Sequence, residues 1–202
     1  PIARRHGAIT IVDCVSSFGG IDLQAEAWHL DLLVAGPQKC LGGPPGMSLM
    51  AVSPQAWAAI DANPNAPRDS FLSMLDWRDT WHGKGRFPFT PSVSDLHGVL
   101  EAANALLEEG LANVQARHSR IAAATRAGVA GMGLQLWARS ESIAADCVTS
   151  IRLPDAVTDI QVRDHVLAHY GVALSAGQGA GNLIRIGHMG DTARLMYPVA
   201  GL

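Results

Sequence analysis

The sequence predicts an α/β protein in two parts: a mostly parallel sheet with its helices over residues 1–133, then a small α+β domain over 134–202. Three observations carry this. Short apolar runs ending in a charge or a Gly-Pro turn alternate with connectors at the start, as buried strands of a parallel sheet do. After residue 94 the apolar period becomes helical, and from residue 134 strand-like runs return on either side of one helical segment.

Taken in order, PIARRHG reads as the last turns of a helix closing at Gly7, and AITIVDC (8–14) as a strand buried on both faces. DLQAEAWHL (22–30) reads as a short helical connector, DLLVAG (31–36) as a second buried strand and GMSLMAVS (46–53) as a third. Residues 61–92 read as irregular, because Pro64, Pro67, Pro88 and Pro91 interrupt any regular element. From Ser94, a suitable N-cap, Leu96, Val99, Leu100, Ala103, Leu106 and Leu107 share one helical face that ends at Gly110. A second helix follows to about Gly131, then strands in LQLWA and CVTSIRLP. The helix DIQVRDHVLAHY ends at Gly171, VALSAG and LIRIGH are strands, and a last helix opens at Asp191. Both ends have the look of cut elements.

Composition narrows the function. The 202 residues, 48% hydrophobic, can bury a sizeable core. Net charge is -3 with no basic run, which argues against nucleic acid as a partner. No apolar stretch approaches the roughly 20 residues that span a bilayer, and no secretory cleavage signal follows the start. Cys14, Cys40 and Cys147 are few, odd in number and without metal-type spacing, which fits a reducing, cytoplasmic setting.

The chemistry-bearing stretch is GPQKCLGGPPGM (36–47), where one lysine sits among restricted or hinge-like residues. A phosphate loop of the Walker type is excluded, because there the lysine follows the glycines and precedes Ser or Thr. Lys39 is then either a loop lysine or an amine at a strand end, where desolvation would leave free base for an imine. Asp13 ends the first strand, one strand unit earlier; it is either a turn aspartate or the partner of a cation. A cofactor with an aldehyde and a protonated ring nitrogen would use both groups. Arg185, a cation inside an apolar strand, matches a carboxylate by its fork or else pairs with an acid of the protein. His165 and His169 share a helix face but lack the glutamate and third ligand of a zinc site, so they read as structural. Cys14 and Cys40 read as buried packing.

VDCVSSFGG, GPQKCLGGPPGM, FPFTPSV, GQG and RIGHMG, in this order and spacing, resemble the class V aminotransferases of fold type I. The resemblance is strongest to the alanine/serine–glyoxylate and pyridoxamine–pyruvate branch. It implies that the chain is the C-terminal part of a large cofactor domain plus a small domain, the front of the large domain being absent. It also implies pyridoxal 5′-phosphate as cofactor, with Lys39 as the Schiff-base lysine, Asp13 on the pyridine nitrogen, Val15 under the ring and Gln38 on the phosphate. Thr90 corresponds to a residue reaching the phosphate of the neighbouring subunit, which implies a homodimer, and Arg185 to the clamp for the substrate carboxylate.

Two positions depart from the family pattern. Phe87 replaces a frequent Tyr, and Gln178 stands where pyridoxamine-using relatives carry a second arginine. The expected reaction moves an amino group between alanine or serine and glyoxylate or pyruvate. Pyridoxamine as donor to pyruvate is the alternative, and a non-catalytic dimerising fragment or paralogue is the rival of another class.

Overall fold

A computed structural model describes residues 2–194 as two sheets with helices against them. The first sheet holds β1 (Ile11–Asp13), β2 (Leu32–Ala35) and β3 (Leu49–Val52), in that spatial order. β1 runs parallel to β2, pairing Asp13 with Val34, whereas β3 runs antiparallel to β2. The expectation of a mostly parallel sheet therefore holds for one of the two described pairs. Its failure at β3 has a simple cause, since the turn from 36 to 48 reverses the chain without the crossover that parallel pairing needs.

The strands and connector before it also differ from expectation. β1 is not buried on both faces: it is an edge strand among the described residues, and Ile11 is 73% exposed. β2 is half-buried, with only Ala35 fully inside. The connector at 22–30 is a single turn rather than a helix. Trp28 N–H donates to Gln24 and Leu30 N–H to Ala25, and His29 then leaves the helical region at φ 56°.

A short α1 (Ile2–Arg5) precedes Gly7, as read from the sequence. α2 (Pro54–Ala62) starts on a Ser53 cap with Pro at its first position, both favourable there. Residues 61–92 are less irregular than the prolines suggest, for α3 (Met74–Trp77) runs into a π turn, Arg78–His82. Buried Ser73 starts it, accepting from Asp76 N–H at 3.1 Å while donating to the Pro67 carbonyl at 2.8 Å. Arg78 holds it, bridging Asp61 of α2 and Asp79 and lying 4.9 Å over the Trp57 ring. Phe71, Trp77, Trp81, Phe87 and Phe89 form one aromatic cluster beside these charges, with Trp81 and Phe87 stacked at 4.3 Å.

α4 (Val93–Glu109) begins one residue before Ser94, with Ser92 as its cap residue, and α5 (Leu111–Gly131) follows across Gly110. The expected apolar face is partly wrong, because Leu100 and Leu107 are 52% and 72% exposed. The helix instead meets the 36–47 turn through small residues. A side chain at Gly98 would put its first carbon 2.7 Å from the Pro44 ring, and Ala102 lies against Gly43.

The second sheet has the order β4 (Gln135–Leu136), β5 (Val148–Arg152), β7 (Leu183–Gly187), β6 (Ser175–Ala176), all antiparallel. α5 and α6 (Asp159–Tyr170) cover one face. Val129 of α5 and Ile151, Ile184 and Ile186 of the sheet form the buried core, with Val162 of α6 packed against it. α6 carries a complete capping box, Thr158 with Gln161, and ends at Gly171 as expected. The helix expected from Asp191 is a 3-10 turn, Gly190–Thr192, as far as Arg194; its remainder lies outside the described residues. No described helix is long and apolar enough to cross a membrane.

Ile151 is 1% exposed between α5 and β7, and truncation leaves a cavity that the closed core cannot refill. Ile151→Ala is expected to lower unfolding free energy by about 2–5 kcal/mol in urea denaturation.

Candidate active site

The parallel pairing of β1 and β2 brings two turns to one sheet edge. Cys14, just past β1, donates its N–H to Val34 of β2 at 2.7 Å, so residues 14–20 and 36–43 leave the sheet side by side. They interlock there: Cys40 Sγ donates to the Ser16 carbonyl at 3.1 Å, and a side chain at Gly20 would collide with that sulfur at 2.6 Å. Burial of Cys14 and Cys40, expected from the sequence, is borne out. A hydrogen bond shared with Cys147, and then burial, push the Cys40 thiol up, so it remains a neutral donor.

Lys39 sits at the tip of the second turn. Its carbonyl accepts from Gly42 N–H at 3.0 Å and the Pro37 carbonyl accepts from Gly43 N–H at 2.7 Å, which closes the backbone around it. The side chain is half-buried rather than enclosed by strands, and it forms no ion pair among the described residues. Gln38 folds back over Gly36, where a first side-chain carbon would lie 2.5 Å from Gln38 Oε1.

Asp13 is exposed, not desolvated. Its Oδ1 accepts from Val15 N–H at 2.8 Å, the turn-aspartate contact, and this leaves Oδ2 without a partner among the described residues. Val15 is half-buried directly after it. Arg185 lies in the interior strand β7, on the face opposite Ile184 and Ile186 because side chains alternate along a strand. Its Nε donates to the Ala176 carbonyl at 2.7 Å, and no acid pairs with it among the described residues. Its terminal nitrogens are therefore available for a planar anion.

Thr90 is exposed beyond the aromatic cluster, and no hydrogen bond ties it to the Lys39 turn among the described residues. Gln178, exposed at φ 51°, supplies no cation in the turn before β7. His165 and His169 stack at 4.1 Å on the exposed side of α6, and no group of three metal-binding side chains occurs among the described residues. A cavity of about 570 Å³ opens at the other end of β2 beside Asp31, Arg4 and His29, away from Lys39. Asp31 is held low there chiefly by the Thr10 N–H.

The Aminotransferase class-V family model matches residues 1–195. The chain belongs to this family. The pyridoxamine–pyruvate transaminase of Mesorhizobium japonicum is 50% identical over 203 residues, covering all of this chain and 52% of that protein. The serine–glyoxylate aminotransferase of Methylorubrum extorquens is 38% identical, covering 96% and 49%. The solved pyridoxamine–pyruvate aminotransferase of Mesorhizobium loti superposes with a TM-score of 0.94 at 49% identity, over 99% of this chain and 52% of its own. The chain thus spans about half the length of these relatives. The branch expected from the motifs is the one found, and pyridoxal 5′-phosphate is the cofactor of this family.

The residues present fit that cofactor: among the described residues, a lysine amine without an ion pair and a carboxylate with one unpartnered oxygen leave the same sheet edge, with the Gln38 side chain folded over Gly36 beside them.

Two histidines escape sequence reasoning. His118 of α5 and His188 after β7 are each 0% exposed, and burial holds both below the ordinary histidine range. Each spends both ring nitrogens: His118 on the Val114 carbonyl and the Gly190 N–H, His188 on the Asp146 carbonyl and Thr149 Oγ1. A lone histidine among alanines and one inside RIGHMG carry no pattern that separates them from surface residues.

Since both are neutral when folded, the unfolded chain binds more protons as pH falls below about 6.5. Their stabilisation is complete above that pH and is lost as pH falls through the depressed folded values. The urea midpoint is expected to drop between about pH 7 and pH 5, and to drop less in His188→Gln.

Proposed function

We propose that the chain supplies the lysine, the ring-nitrogen partner and the carboxylate clamp of a pyridoxal-phosphate aminotransferase acting on a small 2-oxo acid, with pyruvate as acceptor. The observation that supports this most is the placement of Asp13 and the Lys39 turn at the same carboxyl edge of a parallel strand pair, where α/β sheets bind ligands.

In this reading Lys39 Nζ would hold the cofactor through its aldehyde carbon, Asp13 Oδ2 would serve the ring nitrogen and Val15 would pack against the ring. Gln38 and, from the other subunit of a homodimer, Thr90 bind the phosphate. When bound, the cofactor supplies an electron-withdrawing ring that lowers the cost of removing a proton from the donor's amine-bearing carbon. Once free, the Lys39 amine would be the base that carries the proton on Nζ between the two carbons flanking the transferred nitrogen. Asp13 would favour the protonated ring nitrogen. Arg185 would hold the carboxylate of the 2-oxo acid, or of the amino acid formed from it, and so place its central carbon beside the Lys39 amine.

For the donor, the 50% identity to a pyridoxamine–pyruvate transaminase over the whole chain favours pyridoxamine. Alanine or serine is the second reading, favoured by Gln178, which leaves that turn without a second arginine, and by the 38% identical serine–glyoxylate enzyme.

Lys39→Ala is expected to abolish the visible absorbance of the lysine-bound cofactor; unchanged absorbance would refute the assignment. Arg185→Gln is expected to raise KM for pyruvate about 10- to 100-fold. Half-reactions with pyridoxamine, alanine and serine decide the donor, and rapid turnover of alanine with none of pyridoxamine places alanine first.

A further inference from the structure

We infer that Arg117 and His118, consecutive residues of α5, are a positioning clamp on the backbone of Gly190 that sets the placement of Arg185 relative to Lys39. Neither touches the reacting atoms; they act through Gly190, and the inference rests on the roles proposed above for Lys39 and Arg185.

The two side chains grip opposite ends of one residue. His118 Nε2 accepts from Gly190 N–H at 3.1 Å, while Arg117 Nη1 donates to the Gly190 carbonyl at 2.7 Å and to the Ala193 carbonyl at 3.2 Å. Both grips are themselves held. Nδ1 of His118 donates to the Val114 carbonyl of its own helix at 2.8 Å, which makes Nε2 the acceptor. Arg117 Nε and Nη2 are fixed by Glu109 at 2.7 and 2.9 Å.

Gly190 in turn presses on the catalytic turn. Its φ is +56°, and a first side-chain carbon would sit 2.9 Å from the Lys39 carbonyl oxygen and 3.2 Å from Gly42 Cα, so no other residue fits without displacing that turn. His118 also lies against Gly20, whose first side-chain carbon would be 3.2 Å from its ring and 2.6 Å from Cys40 Sγ. One helix thus fixes the turn after β1, the turn after β2 and the segment after β7.

Arg185 stands five residues before Gly190, and between them His188 N–H, bonded to the Cys147 carbonyl at 3.1 Å, extends the ladder of β7. Lys39 is covalently continuous with the carbonyl that Gly190 touches. Backbone shifts of a fraction of an ångström at Gly190 would therefore move the carboxylate clamp against the lysine, and orientation is where such shifts cost rate.

The test uses the holoenzyme and three substitutions. His118→Leu removes the acceptor at similar volume, Arg117→Met removes the donor, and His118→Gln restores an acceptor oxygen. The first two are expected to keep the visible cofactor absorbance and to raise KM for pyruvate, and Kd for a non-reacting carboxylate analogue, by about tenfold. His118→Gln is expected to recover most of that loss. The inference is overturned if both deletion variants bind pyruvate and the analogue as the parent does, or if His118→Gln is no better than His118→Leu. Should His118→Leu not fold, Arg117→Met against Arg117→Lys decides by the same KM comparison. Arg185→Gln, measured in parallel, separates the two claims: lost carboxylate affinity there with none in the clamp variants sinks the clamp alone, and no loss in Arg185→Gln sinks the reading beneath it.

Discussion

A buried residue must place both its N–H and its C=O, and at Gly190 the N–H has no strand or helix ladder to join, while the C=O accepts from Ala193 N–H at 3.2 Å in a single 3-10 turn. Partners for both groups come from α5, through a neutral histidine on the N–H and an arginine, already committed to Glu109, on the C=O. Because Gly190 has no side chain, its backbone can lie against the Lys39 carbonyl, and the segment after β7 meets the turn after β2 at that contact. Other features are arranged to permit it: helices joined across Gly110, small residues where α4 meets the turn at Pro44, and a Gly-Gly pair under Cys40.

The lysine turn illustrates how rigidity and reactivity are divided. Its backbone is closed by Gly42 and Gly43 N–H bonds and wedged by neighbours on three sides, whereas the Lys39 side chain has no bonded partner among the described residues. A fixed backbone with an uncommitted amine suits the role proposed for Lys39, first holding a cofactor and then carrying a proton. The thiol next to it behaves oppositely: Cys40 is buried, hydrogen-bonded and raised, so it packs and does not compete as a nucleophile.

Element type is largely legible from the pattern. The strands at β2, β3, β5 and β7 and the helices α4, α5 and α6 stand where period and caps place them. What fails has identifiable causes. Apolarity alone suggests a buried β1, yet exposure depends on what lies beside a strand, and β1 has only one neighbour among the described residues. Large residues suggest the packing face of α4, while the close approach is made by Gly98 and Ala102, whose smallness is the signal. The π turn at 78–82 is hidden because its support is an ion network with Asp61, distant in sequence. For the site, the lysine, aspartate and arginine are visible as unusual residues in apolar strands and turns. His118 and Arg117 are not, since their role is defined by a peptide far along the chain.

The segment ahead of Thr90 carries one more implication. Arg78 is tied to Asp61, Asp79 and the Trp57 ring, and Trp81 stacks on Phe87 three residues before the threonine. A hydroxyl displayed on an otherwise free loop would surrender conformational entropy when it met a partner. In this chain that loss is already incurred in folding, so a group reaching Thr90 meets a surface with its shape set in advance.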